Sequence, residues 1–148
     1  MTTTATPAMD ALEDRFRRRA ILGEAQAVLH WDASVTMPRG AAASRGDQLA
    51  ELDVLGHAII TDPSLPDLLD RAEGEALDDW RRANLKEMRR AHIHASALPE
   101  ALVAEMTRAG SACEAVWRDA KPRSDFAAVL PYFERVLAAT REAASAKA

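Results

Sequence analysis

The groups best suited to chemistry are four histidines, one cysteine and an unusual run at residues 30–40, HWDASVTMPRG. A zinc peptidase places two histidines one helical turn apart with glutamate after the first. Here His30, His57, His92 and His94 precede Trp31, Ala58, Ile93 and Ala95, so no HExxH pattern exists. His92 and His94 stand two residues apart, which on a helix turns them to different faces and suits capping or solvent-facing roles better than a shared metal. His57 shares its segment with Glu51 and Asp53 and reads as a satisfied surface or interface group. Cys113 lacks the electropositive setting that makes a thiolate, and GxSxG, P-loop and GxGxxG patterns are absent.

The run itself has ready structural uses. Trp31 can leave a helix to plug the end of a bundle, Asp32 can turn the chain or cap donors, and Met37 can fill a gap. Pro38-Arg39-Gly40 can set the entry into the next helix. From the residues alone it is a helix-loop-helix connection.

The segments that must position this run are helical. After a Thr-rich start, Thr6 can cap a first helix with Pro7 in its first turn. Leu12, Phe16, Ala20, Gly23 and Ala27 then recur at helical spacing to about His30. A second helix runs from Ala41 to Ile60 and stops at Thr61-Asp62-Pro63. Ser64 to Asp67 has capping-box spacing for a short third. Residues 76–95 place Leu77, Trp80, Asn84, Met88, Ala91 and Ala95 on one stripe. Pro99 opens a fifth helix whose Leu102, Met106, Ala109, Cys113, Val116 and Trp117 form a narrow seam, with Cys113 as core. A sixth, capped by Ser124 or Asp125, turns Phe126, Val129, Leu130, Phe133, Val136 and Leu137 inward. Pro131 falls inside it and predicts a kink near Ala127.

No strand-like alternation or repeat is found, so the expected fold is all-α: a bundle of five to six mostly antiparallel helices with a structured loop at residues 30–41. Residues 1–8 are expected as a flexible tail and 9–145 as a single helical domain. The chain has 148 residues, enough to bury a core without disulfides or metal. Nineteen basic against twenty-three acidic residues leave a net charge of −4, which argues against nucleic-acid binding. No stretch approaches the roughly eighteen apolar residues of a membrane helix, and no signal peptide is evident. With one cysteine the expected compartment is the cytoplasm.

Several stretches together resemble a known family. Val28-Leu29-His30-Trp31-Asp32, Thr36-Met37-Pro38, Gly40, Arg45, Gln48 to Leu52, His57 and Thr61-Asp62-Pro63 look like the N-terminal signature of the carboxypeptidase Taq metallocarboxypeptidases. Ser96 to Glu100, Trp117 with Ala120, Asp125-Phe126 and Pro131-Tyr132-Phe133 follow in the same order. The resemblance implies a mostly helical exopeptidase that removes C-terminal residues from peptides. Zinc or another divalent metal acts in full-length members, which are several times longer and commonly dimeric.

The HExxH helix, the acidic ligand and the carboxylate-binding groups of that family have no counterpart here. No catalytic or metal residue and no cofactor is therefore assigned to this chain. The motif residues His30, Trp31, Asp32, Thr36, Met37, Pro38, Gly40 and Arg45 are expected to be structural or groove-lining, with Trp31 buried and Asp32 hydrogen-bonded within the loop. The chain is read as a truncated, groove-covering part of such an enzyme, inactive alone. The alternative is a stand-alone binding or dimerisation module derived from it. The expected partner is a second copy or a separate catalytic half, with peptide substrate only in a full-length context.

Overall fold

Pro7 opens the first helix with a fixed φ and no N–H to satisfy, and from there the chain is helical almost throughout. The computed structural model describes residues 5–148. Six α-helices occur among them: α1 (Pro7–Val35), α2 (Ala42–Ile60), α3 (Leu65–Glu73), α4 (Asp79–Ser96), α5 (Glu100–Ala120) and α6 (Phe126–Lys147). Single 3₁₀ turns precede α2 and α6. α2 lies between α1 and α5, α6 packs on the far side of α5, and α3 and α4 close over the start of α1. The fold is an all-α bundle. The first four residues of the expected tail lie outside the described residues, while α1 takes in its last two, Pro7 and Ala8.

Two apolar clusters hold the helices. The larger joins Met9 and Leu12 of α1 to Leu65, Leu68, Leu69 and Ala72 of α3 and to Leu77, Leu85 and Met88 around α4. The smaller joins Leu102 of α5 to Ala139 and Ala143 of α6. Between α2 and α5 the contact is close because its residues are small. A Cβ added at Gly46 would stand 3.3 Å from that of Ser111, so alanine there would push the helices apart.

The caps differ from those expected. Thr6 makes no side-chain cap bond. Glu75, from the α3–α4 linker, instead accepts the Ala8 and Met9 N–H groups at 2.8 and 3.0 Å, setting a carboxylate on the positive end of a 29-residue helix. Glu75→Ala is expected to lower stability by about 1–2 kcal/mol, read from the urea midpoint at unchanged m-value, with Glu75→Gln in between. The expected capping box at Ser64 is replaced by Asp62, which accepts from the Ser64 N–H and hydroxyl. At α6, Asp125 accepts the Ala128 N–H at 3.1 Å, as the sequence predicts.

The stripe expected on α4 is found in part: Met88 and, just before the helix, Leu77 are buried and Asn84, Ala91 and Ala95 are half-buried, but Trp80 is not. Arg81, Leu85, Met88 and His92 point inward and Trp80 is exposed, because the stems of Arg81 and His92 reach partners that an alternating apolar count does not see. Arg81 grips both Glu13 oxygens at 2.8 Å and also bonds Asp10 and Thr6. His92 Nδ1 donates to the Ile60 carbonyl at 2.7 Å, and His57 Nε2 donates to Ala95 at 3.0 Å, so each histidine caps the end of the other's helix. α6 runs unbroken through Pro131, which faces solvent in the second turn and deprives only the Ala127 carbonyl of its partner. Its packed face is Val129, Ala139 and Ala143, while Phe126, Leu130 and Phe133 are exposed. Cys113 is half-buried.

Ion pairs and hydrogen bonds to carboxyl groups make folding stability depend on pH. The Arg81 guanidinium, by hydrogen bonds first, holds the Asp10 and Glu13 carboxyls below their ordinary 3.8 and 4.5, and Arg135 does the same for Glu105. Donation from Ser64 draws Asp62 down to about 2. Carboxyls depressed in the folded state stabilise it fully above their unfolded values, and that contribution disappears as pH falls through the folded ones. The melting temperature is therefore expected to be level above about pH 5 and to fall from there toward pH 2, with a shallower fall in Arg81→Met. Circular-dichroism melts across that range, at low salt, check this.

Candidate functional site

The motif residues gather where α1 meets α2, and the connection is shorter than residues 30–41. α1 continues through His30, Trp31 and Asp32 to Val35, leaving Thr36, Met37 and Pro38 as the link. The helix persists because nothing in Trp-Asp-Ala-Ser-Val forbids it and because its final carbonyls find partners. Asp32 O accepts the N–H groups of both Thr36 and Met37, at 3.0 and 2.9 Å. Pro38 then holds extended backbone into the 3₁₀ turn. Gly40 has no left-handed φ and faces open space, so the turn makes no conformational demand for glycine.

Asp32 and Arg45 form the centre of this cluster. Thr36 Oγ1 donates to Asp32 Oδ1, and Arg45 Nη2 lies 2.6 Å from Asp32 Oδ2, so both carboxylate oxygens are engaged. The expected hydrogen bonding of Asp32 is found, with Arg45 of α2 as the larger partner. Arg45 also reaches the Leu29 carbonyl at 3.4 Å, and Arg118 of α5 donates to the Ala33 carbonyl and, at 3.1 Å, to the Ser34 hydroxyl. α1 has no basic residue in its own last turn. Cations from two neighbouring helices supply that charge where the helix dipole is negative.

A cavity of about 40 Å³ lies beneath, lined by His30, Ala33, Met37, Arg45 and Leu49 among others. It has room for water but not for a peptide. Trp31 corrects the sequence reading: 60% of its surface is exposed, because the helix continues and carries the indole outward. It shares an exposed face of α1 with Ile21, Val28 and Val35. Thr36 and Pro38 are exposed, and Met37 is half-buried.

A second concavity, about 820 Å³ and open, lies among α1, α2, α4, α5 and the end of α6. Phe16, Met88 and Leu98 line it, with Arg19, Arg90, His94 and Lys147 at its sides. Its internal carboxylate is already committed, since Asp53 accepts from Gln26 and Thr107, and His57 is spent on Ala95. Among the described residues no three His, Cys, Asp or Glu side chains are grouped to hold a metal ion. No helix among the described residues is long and apolar enough to cross a membrane.

Glu75, Arg81 and Arg118 were not singled out by sequence reasoning. The partners that matter here lie 66 to 85 residues away, although Arg118 also pairs locally with Glu114, and a local pattern carries no signal for the distant ones.

Known proteins share this arrangement. A profile of the carboxypeptidase Taq (M32) metallopeptidases matches residues 11–148. Thermostable carboxypeptidase 1 of Thermus thermophilus is 37% identical over 132 residues, covering 86% of this chain and 26% of the relative. The Pyrococcus furiosus thermostable carboxypeptidase 1 is 30% identical over 131 residues, covering 88% of this chain and again 26% of the relative. The crystal structure of BsuCP shares the fold with a TM-score of 0.90 at 22% identity, over 95% of this chain and 29% of that one. Metallocarboxypeptidase 1 of Trypanosoma cruzi gives a TM-score of 0.71 at 31% identity, over 96% and 29%. The chain therefore spans about a quarter of the length of the curated relatives it matches. Over that quarter, sequence profile and helical architecture agree, and the chain belongs to the carboxypeptidase Taq (M32) metallopeptidase family.

Proposed function

We propose that this chain acts as the N-terminal helical part of a carboxypeptidase Taq-type enzyme, a cover beside a groove in which peptides lose their C-terminal residues. The carrying observation is the match of residues 11–148 to a quarter of much longer relatives. The HExxH helix and the groups that take the peptide's terminal carboxylate then belong to polypeptide outside these 148 residues. A divalent metal such as zinc would be held by that further polypeptide and would supply Lewis-acid polarisation of the scissile carbonyl there.

The part played by this chain's residues is positional. Arg45 and Arg118 fix the end of α1, and the full engagement of the Asp32 carboxylate favours a scaffold role over acid–base work. A cytoplasmic setting is in keeping with the single free thiol of Cys113.

Metal analysis and a C-terminal trimming assay on the 148-residue chain test this reading. The expected result is neither stoichiometric zinc nor turnover; a zinc-bound chain that trims peptides would overturn it. A second reading, a self-associating module, is favoured by the apolar face Ile21, Val28, Trp31 and Val35 on α1. A monomer mass by light scattering at high concentration would count against that.

A further inference from the structure

α6 carries two apolar faces, and its main packing partner among the described residues is α5. Val129, Ala139 and Ala143 are buried on the α5 side. Phe126, Leu130 and Phe133, at i, i+4 and i+7, form a separate stripe with 64%, 39% and 47% of their surface exposed, and half-buried Leu137 extends it. At the head of the stripe lies a cavity of about 210 Å³ lined by Trp117, Lys121, Asp125, Phe126 and Val129. Lys121 Nζ stands 4.5 Å from the centre of the Trp117 ring and holds the indole at the cavity wall. Ser124, in left-handed backbone at φ 54°, turns the chain so that Phe126 emerges beside it.

We propose that this α6 face, with the Trp117 cavity at its head, is the seat of the family's catalytic region, the polypeptide that makes up the other three quarters of the relatives. The inference rests on the N-terminal reading given above and names the surface through which it operates. Two observations favour that occupant. The family match runs through α6 to residue 148, while the relatives have about three times as much further chain to place, and on the N-terminal reading that chain follows α6. The stripe is also short, about 17 Å of helix. A stable complex of separate chains uses about 800 Å² per partner, far more than such a stripe offers, whereas a covalently joined neighbour acts at high effective concentration and needs less. A second copy of this chain is thereby the weaker occupant.

The experiment compares two proteins. One is the 148-residue chain; the other is a chimera in which it replaces the matching quarter of the Thermus thermophilus thermostable carboxypeptidase 1. Phe126→Ser with Phe133→Ser is placed in both, and Trp80→Ser, at a side chain 76% exposed on α4, serves as the control. In the chain alone the double substitution is expected to lower the melting temperature by no more than about 4 °C, because about half or more of each side chain is already exposed. In the chimera it is expected to lower melting by about 8 °C or more and peptide trimming by roughly tenfold, with the control unchanged in both. A doubly substituted chimera that melts and trims like the unsubstituted one overturns the inference while leaving the N-terminal reading intact. A dimer of the chain alone that the substitutions convert to monomer overturns it in favour of a second copy. An unsubstituted chimera that fails to fold or trim overturns the N-terminal reading, and the docking surface with it.

Discussion

Leu69→Ala is expected to cost about 2–5 kcal/mol, the range for a leucine removed from a closed core, where lost transfer energy adds to the cavity left behind. Leu69 is fully buried and belongs to the cluster that joins α1, α3 and α4, with Met9, Leu12 and Leu65 equally enclosed. α3 has nine residues, too few to hold a helix in water, so its structure depends on the burial of Leu65, Leu68, Leu69 and Ala72. Against a typical total of about 5–15 kcal/mol the loss is large. Urea denaturation checks it, with Leu55→Ala as the internal comparison: Leu55 is 46% exposed on α2 and should cost under about 1 kcal/mol. Equal losses at the two positions would show that the α1–α3–α4 cluster is not the main store of stability.

How far the sequence discloses this fold depends on the range of the interaction. Period and punctuation locate all six helices, because Pro7, Pro63, Pro99 and the Asp125 cap act on their immediate neighbours. At α4 and α6, Leu77, Met88 and Val129 are buried as the period predicts, while the aromatic residues are not. An apolar count assigns Trp80, Phe126 and Phe133 to the interior, whereas Arg81 and His92 take the interior positions of α4 through bonds to α1 and α2. On α6 the aromatic residues make a second face, which the described residues leave about half exposed.

The same distinction separates what is legible at the motif. Its residues identify the family, yet their roles follow from contacts no spacing reveals. Trp31 was expected to plug the bundle and is instead carried outward, because the carbonyls that would have ended α1 are held by Arg45 and Arg118. Both termini of α1 are completed from elsewhere in the chain, by the Glu75 carboxylate at its start and by these two guanidinium groups at its end. A helix arranged in this way is fixed along its axis by charges of the sign its dipole requires. Its start is thereby tied to the α3–α4 linker and its end to α2 and α5.

Arg45→Met should break the more important of the two ends, at a cost of about 2–3 kcal/mol. The guanidinium serves Asp32 at 2.6 Å and the Leu29 carbonyl together, and losing it leaves the Asp32 carboxylate with the Thr36 hydroxyl alone. Breaking a fully buried pair costs about 3–5 kcal/mol, but the Arg45 and Asp32 side chains keep 18% and 29% of their surface exposed, so water screens part of the loss. Asp32→Asn retains the acceptor for Thr36 and removes only the charge, so about 1–2 kcal/mol is expected there. If the pair acts as a unit, the double variant should lose less than the sum of the two, with a coupling of about 1–2 kcal/mol in a double-mutant cycle. Arg45→Lys should recover little, because one ammonium cannot span two acceptors held in a fork. Single losses near zero with no coupling would mean that the α1–α2 junction is held by the Arg118 contacts and backbone turns instead. The two explanations separate on Arg118→Met, which leaves the Asp32 pair untouched and removes the bonds to Ala33 and Ser34.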